Sequence, residues 1–189
     1  LTDINAAVVP PSIMSTGQRQ HWRLAYFRKA RMYRKIMVAI DGSPSSMQAL
    51  KEGLAVAKLC GGHLYVVYVI DQSALFTLAG GYDQEALVAA MRRDGAGVLR
   101  GAEQAIADAS AAGDTALIET KRIGEDIAGR LQRYAQENTV DLAVLGTHGR
   151  RGIERMLIGS VAERFLRGAI CPVLFTRGED PQPAETVIF

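Results

Sequence analysis

The stretch KIMVAIDGSPSS, Lys35 to Ser46, decides the fold. After Lys35 it runs apolar without a break to Ile40, and such a run reads as a strand buried on both faces, the kind found in parallel sheets. Asp41 and Gly42 then break the run. Ser43 has the chemistry of an N-cap and Pro44 that of a first helical residue. Met47, Leu50, Leu54 and Ala57 recur at helical spacing, and Gly61 with Gly62 closes that helix. The reading is a buried strand followed by a helix that returns across the sheet.

The same alternation continues outward. His63 to Asp71, HLYVVYVID, reads as a second strand, and a loop with Gly80 and Gly81 leads to an Ala-rich helix from about Asp83 to Ala112. Gly95, Gly97 and Gly101 each weaken that helix by about 1 kcal/mol relative to Ala, which predicts a break near them. TALIETKR is a third strand, EDIAGRLQRYAQEN a helix, DLAVLG a fourth strand, Val161 to Arg167 a helix, and PVLFTR a fifth strand. Strands alternating with helices imply an α/β domain, with a parallel sheet between helical layers joined by right-handed crossovers. Tyr65 and Tyr68 are expected to pack between sheet and helix, and His21 and His63 to be structural or surface residues. The expected domains are a basic, flexible extension over 1–33, the folded domain over 34–177, and a short tail over 178–189 containing Pro181 and Pro183.

Composition narrows the function classes. The chain has 189 residues, 48% hydrophobic, which suits one domain with a substantial core. Its net charge of +2 conceals an asymmetry: residues 1–34 carry +5 and the remainder −3. No apolar run approaches the roughly 20 residues that span a bilayer. INAAVVPPSIM is broken by Pro10 and Pro11 and lacks a preceding positive region, so a secretory signal is not expected. Cys60 and Cys171 fall in neither a CxxC nor a Cys/His spacing; both are read as small apolar side chains in a cytoplasmic protein.

In an open parallel sheet, ligands bind beyond the carboxyl ends of the strands, where connections diverge. That rule selects Asp41 and Gly42, Val69 to Asp71, and the stretch from Gly146 onward. GTHGRRGIERMLIGS, Gly146 to Ser160, begins at the right end of the sheet. Gly146 and Gly149 would let backbone amides approach an anion without a Cβ in the way. Gly159 would place the positive end of a helix dipole at the same anion. Ser160 could either cap that helix or donate to a phosphate oxygen. Asp41 either caps the turn into its helix or meets a ligand, and a carboxylate beyond a buried strand is costly without a partner. His148 is either a solvated loop residue or part of the site. Arg151 and Arg155 read as a solvated face. The stretch is neither a Walker A loop nor a GxGxxG dinucleotide fingerprint.

These residues resemble the universal stress protein family over about Tyr33 to Arg177. The signature of that family's ATP-binding branch is GxxG, nine residues, then G[ST], and Gly146, Gly149, Gly159 and Ser160 satisfy it. The resemblance implies a Rossmann-like sheet of order 3-2-1-4-5, similar to the adenine nucleotide alpha hydrolases, with ATP at its carboxyl edge. It implies that Asp41 contacts the nucleoside, that the Val69 backbone pairs with the adenine edge, and that Ala39 lines the pocket. Gly146, His148, Gly149 and Arg150 would surround ribose and phosphates, and Gly159, Ser160 and Val161 would hold the phosphates. Mg²⁺ would be bound through the phosphates.

The expectation is a cytoplasmic, ATP-dependent regulatory protein of the stress response. One alternative is a slow or partner-stimulated ATPase. Asp41 is the one carboxylate the motif places near the ligand, and spacing identifies no catalytic residue, so weak hydrolysis at most is expected. Another is a non-catalytic interaction module whose tail binds nucleic acid through Trp22, Tyr26, Phe27 and the interleaved cations; a flexible extension without that role is the simpler reading. Met32 could also be the native start. The fifth strand should form an edge with Pro172 at its first residue, and the resemblance implies a homodimer through Val173 to Arg177.

Overall fold

The computed structural model describes residues 33–72, 84–121, 124–147 and 159–178. The N-terminal extension up to Met32 and residues 179–189 lie outside them. Five strands, β1 (Lys35–Ala39), β2 (His63–Ile70), β3 (Gly113–Glu119), β4 (Leu142–Gly146) and β5 (Val173–Thr176), form a parallel sheet of order β3-β2-β1-β4-β5. Four helices alternate with them: α1 (Pro44–Cys60), α2 (Gln84–Asp108), α3 (Ile127–Glu137) and α4 (Ser160–Arg167). This is the expected α/β fold with the expected strand order. Among the described residues no helix is long and apolar enough to cross a membrane.

β1 is central because both its faces are apolar. Ile36, Val38 and Ile40 pack with Leu50, Leu54, Leu99 and Ile106 of α1 and α2, while Met37 packs with Leu131 of α3 and Phe165 of α4. Ile36, Met37 and Val38 are fully buried, and each such side chain contributes about 1.5–3 kcal/mol relative to exposure. Two helices per face therefore follow from a strand with no polar side. α1 begins as expected: the Ser43 hydroxyl accepts from the Ser46 N–H, Pro44 follows, and Gly61 closes the helix in the left-handed conformation.

Several boundaries shift for local reasons. α3 starts two residues later than the pattern suggests, because Asp126 is its N-cap and accepts from the Gly129 N–H. Tyr68 lies between the sheet and α2, its hydroxyl donating to Asp94, whereas Tyr65 sits beside the His63 ring, the centroids 4.8 Å apart. Both cysteines are half-buried rather than fully enclosed.

The expected break in α2 does not occur, and the helix runs unbroken from Gln84 to Asp108. Gly95 is a close-approach residue: a Cβ there would lie 2.6 Å from Leu117 Cδ1 and 2.8 Å from two carbons of the Tyr68 ring. Helix propensity alone would make Gly95→Ala stabilising by about 1 kcal/mol. Overpacking against a buried ring reverses the sign. We expect a net loss of about 1–2 kcal/mol, read as a lower urea midpoint with unchanged slope, and a rise in the midpoint would refute the packing account.

Candidate functional site

The connections diverge between β1 and β4. From β1 the chain turns to α1 on one face and on to β2, and from β4 it proceeds through α4 on the other face to β5. Ala39 pairs with Leu145 in register, so the residues after β1 and those after β4 leave the sheet side by side. This crevice is where an open α/β sheet accommodates a ligand.

On the β1 side, the half-buried Asp41 is locked to the first turn of α1. Its Oδ1 accepts from the Ser43 N–H (2.9 Å) and the Ser43 hydroxyl (2.6 Å), and its own N–H donates to Ser46 Oγ (3.3 Å). The turn-capping role considered for Asp41 is therefore real, and it is compatible with a second contact through a carboxylate that can accept on both oxygens. Gly42 permits the turn with φ of +85°, a conformation other residues adopt at a cost.

β2 supplies a different feature. Ile40 donates to the Val67 carbonyl, so Val67 directs its backbone toward β1, and strand alternation sends the Val69 N–H and C=O the same way. The β1–β2 ladder ends at Ala39 and Val67. Among the described strands, none pairs with that side of Val69. The side chains of Ala39, Val69 and Val161 all pack against the apolar cluster under α3 and α4, which brings three of the expected site residues to one face.

The β4 side is built around Thr147. Its N–H donates to the Thr176 carbonyl (2.8 Å), and its carbonyl accepts from the Gly159 N–H. The N-terminus of α4 is thus tied to the end of β4. Gly159, not Ser160, is the N-cap, and it makes no side-chain cap bond; Ser160 is exposed at the first helical position. The capping alternative for Ser160 is overturned because the backbone leaves the helix at Gly159. Since the Gly159 amide is committed to Thr147, the donors at this end are the amides of the first helical residues, Ser160 to Ala162, which a helix leaves without intrahelical partners.

Gly146 has a reason to be glycine besides the expected approach to an anion. A Cβ there would fall 2.7 Å from Ser45 Oγ, 2.8 Å from the Ser45 carbonyl carbon and 2.9 Å from the Ser46 amide nitrogen, so the strand end abuts the start of α1. His148, Gly149 and Arg150 lie outside the described residues, as do Arg151 and Arg155.

α4 is short and is held by its neighbours. Phe165 is fully buried, Arg164 Nη1 lies 2.6 Å from Asp126 Oδ2, and Gln132 Nε2 donates to the carbonyls of Arg164 and Phe165. Burial pushes the Asp126 carboxyl up, but the Gly129 N–H and the Arg164 guanidinium outweigh it and hold the group below its ordinary value. Sequence reasoning missed Thr147, Thr176 and the Asp126–Arg164 pair. An N-cap signal was present in Asp126 before an apolar-periodic run.

The universal stress protein family model matches residues 32–177. The chain is 31% identical to a universal stress protein of Methanocaldococcus jannaschii over 146 residues, 77% of this chain and 83% of that one. A crystal structure of a family protein from Burkholderia pseudomallei is 40% identical, with a TM-score of 0.63 over 76% of this chain and 96% of that chain. The fold is also shared with a universal stress protein of Archaeoglobus fulgidus solved in complex with dAMP, at 24% identity and a TM-score of 0.53, covering 77% and 98% of the two chains.

The Asp126 geometry predicts an acid limb of stability. Its depressed folded pKa means that the carboxylate stabilises the fold at all pH values above its ordinary 3.8, and that this contribution is lost as pH falls through the lower folded value. Asp126→Asn, which can still cap, should flatten that limb. Asp126→Ala should also lose about 1 kcal/mol at neutral pH with the cap. Thermal melts between pH 2.5 and 7 check this, and parallel pH profiles for wild type and Asp126→Asn would contradict it.

Proposed function

The chain belongs to the universal stress protein family, and from that membership we propose that it is an ATP-binding regulatory protein of the stress response. The observation that carries this reading is the backbone of Val69 directed into the gap beyond the end of β1. One residue's C=O and N–H present an acceptor and a donor, which complement the N6 amino group and N1 of adenine. Asp41 lies at the adjacent strand end, suited to accepting from sugar hydroxyls. The α4 N-terminus with its glycine cap supplies backbone donors and a positive dipole end for phosphates. Gly146, His148, Gly149 and Arg150 belong to the same proposal, with Mg²⁺ arriving on the phosphates.

Binding rather than turnover is the proposed activity. An adenine nucleotide would be oriented by Val69, Ala39 and Asp41 and its phosphates held by Ser160 and Val161, while no residue is assigned to activating a water. ATP should co-purify with the protein and be recovered intact after hours in a single-turnover assay. Asp41→Ala and Gly159→Val should each weaken ATP by about tenfold or more, the scale of a charge-assisted hydrogen bond or an obstructed cradle. Equal nucleotide retention by wild type and both variants would sink the assignment of the site.

A second reading concerns assembly, and the β5 edge favours it. Leu174 is 36% exposed on that strand, and Leu166 and Ile170, 47% and 58% exposed, lie just before it in the chain. An apolar strand edge is a surface that pairing would cover. We propose a homodimer through Val173 to Arg177. Light scattering at micromolar concentration should return twice the 20.4 kDa chain mass, and Leu174→Lys should halve it; a monomeric wild type would refute the interface.

A further inference from the structure

The two sides of the crevice are separate pieces of backbone, one after β1 and one after β4, and a ligand that bridges them depends on their spacing. Thr176, at the end of β5, bonds to both. Its carbonyl accepts the Thr147 N–H at 2.8 Å, and Thr147 in turn accepts from Gly159 at the start of α4. Its hydroxyl donates to the Ser45 carbonyl at 3.0 Å, a buried bond across 131 residues of sequence. Ser45 lies in the first turn of α1, the turn to which Asp41 is fixed through Ser43 and Ser46. Thr176 is 7% exposed, too enclosed to touch a ligand in the crevice by itself.

We infer that Thr176 is a positioning residue of the nucleotide site, its hydroxyl setting the distance between the Asp41 side and the α4 side. This inference rests on the proposed ATP site and deepens it. Gly178 presses on the same turn, since a Cβ there would lie 3.2 Å from the Ser45 amide nitrogen and 3.3 Å from Pro44 Cβ. The first turn of α1 is therefore held by Gly146, Thr176 and Gly178, and Asp41 moves only as that turn moves. A ligand touching one side is indifferent to the spacing. One that spans both gains its second contact as an intramolecular event, and that gain falls when the two halves are misplaced.

The test compares three probes by calorimetry and NMR titration: ATP, adenosine for the Asp41 and Val69 side, and inorganic triphosphate for the α4 side. Thr176→Val keeps the shape and removes the donor. It should weaken ATP about tenfold while leaving adenosine and triphosphate within about twofold of wild type, and Thr176→Ser should restore ATP binding. A general structural weakening would lower all three affinities together. That outcome, or unchanged ATP binding in Thr176→Val, overturns the inference. Should Thr176→Val not fold, Gly178→Ala displaces the same turn and must show the same selective loss of ATP, an equal loss of all three or no loss being the refuting result. Wild-type protein that binds no ATP would remove the parent reading and this one together, whereas wild-type binding with an indifferent Thr176→Val removes this one alone.

Discussion

The constraint on which the rest of the structure depends is the contact between the first turn of α1 and the end of β4. Gly146 has no Cβ, and the space one would occupy is filled by Ser45 and the Ser46 amide. A helix N-terminus is thereby buried, with Ser43, Ser45 and Ser46 all 4–5% exposed. Buried donors need partners, and the local sequence supplies them: Asp41 accepts from Ser43, the Ser43 hydroxyl accepts from the Ser46 amide, and the Ser46 hydroxyl donates back to the Ser43 carbonyl. DGSPSS, a composition ordinarily found in solvated turns, is here an enclosed polar network. Its rigidity sets Asp41 at the carboxyl end of the sheet, where the crevice lies.

The architecture was legible because burial on both faces leaves a plain mark. KIMVAI and DLAVLG have no polar alternation, and a strand without a polar side needs helices above and below it. The α1 caps were legible because Ser43, Pro44 and Gly61 each act through local backbone chemistry. For the proposed site, the positions of Asp41, Val69 and Gly146 at the carboxyl ends of their strands could be read from the strand pattern, and the Gly146–Ser160 spacing from the motif. The order of the strands came from the family resemblance, since alternation alone permits several windings.

What could not be read depends on distance in the chain or on the ambiguity of glycine. One letter serves Gly42, whose φ is +85°, and Gly95 and Gly146, which lie where another chain segment leaves no room for a Cβ. Counting helix propensity assigns Gly95 a break in α2 that the packing against Tyr68 removes. The Thr176–Ser45 bond and the Arg164–Asp126 pair join residues 131 and 38 positions apart, and neither partner announces the other. Whether Ser160 caps α4 turned on where the backbone leaves the helix, at Gly159, which composition does not specify.

The two edges of the sheet are treated differently, and that difference bears on how the molecule can associate. On β3, Ala112 accepts from Leu64 and Thr120 donates to Ile70, so Glu119 between them in alternation directs its carbonyl outward. Arg130 Nε donates to that carbonyl, and Asp114 stands at the other end of the strand. Arg130 is 7% exposed, and its Nη1 forms an ion pair with Glu137 Oε2 at 3.7 Å. A charge beside an edge opposes strand addition. β5 exposes Leu174 to the same extent, 36%, as β3 exposes Leu117, but its own four residues carry no charge and the exposed Leu166 and Ile170 precede it. The exposed leucines of the two edges match, so the difference between them lies in the carboxylates and the guanidinium at β3, which have no counterpart within β5.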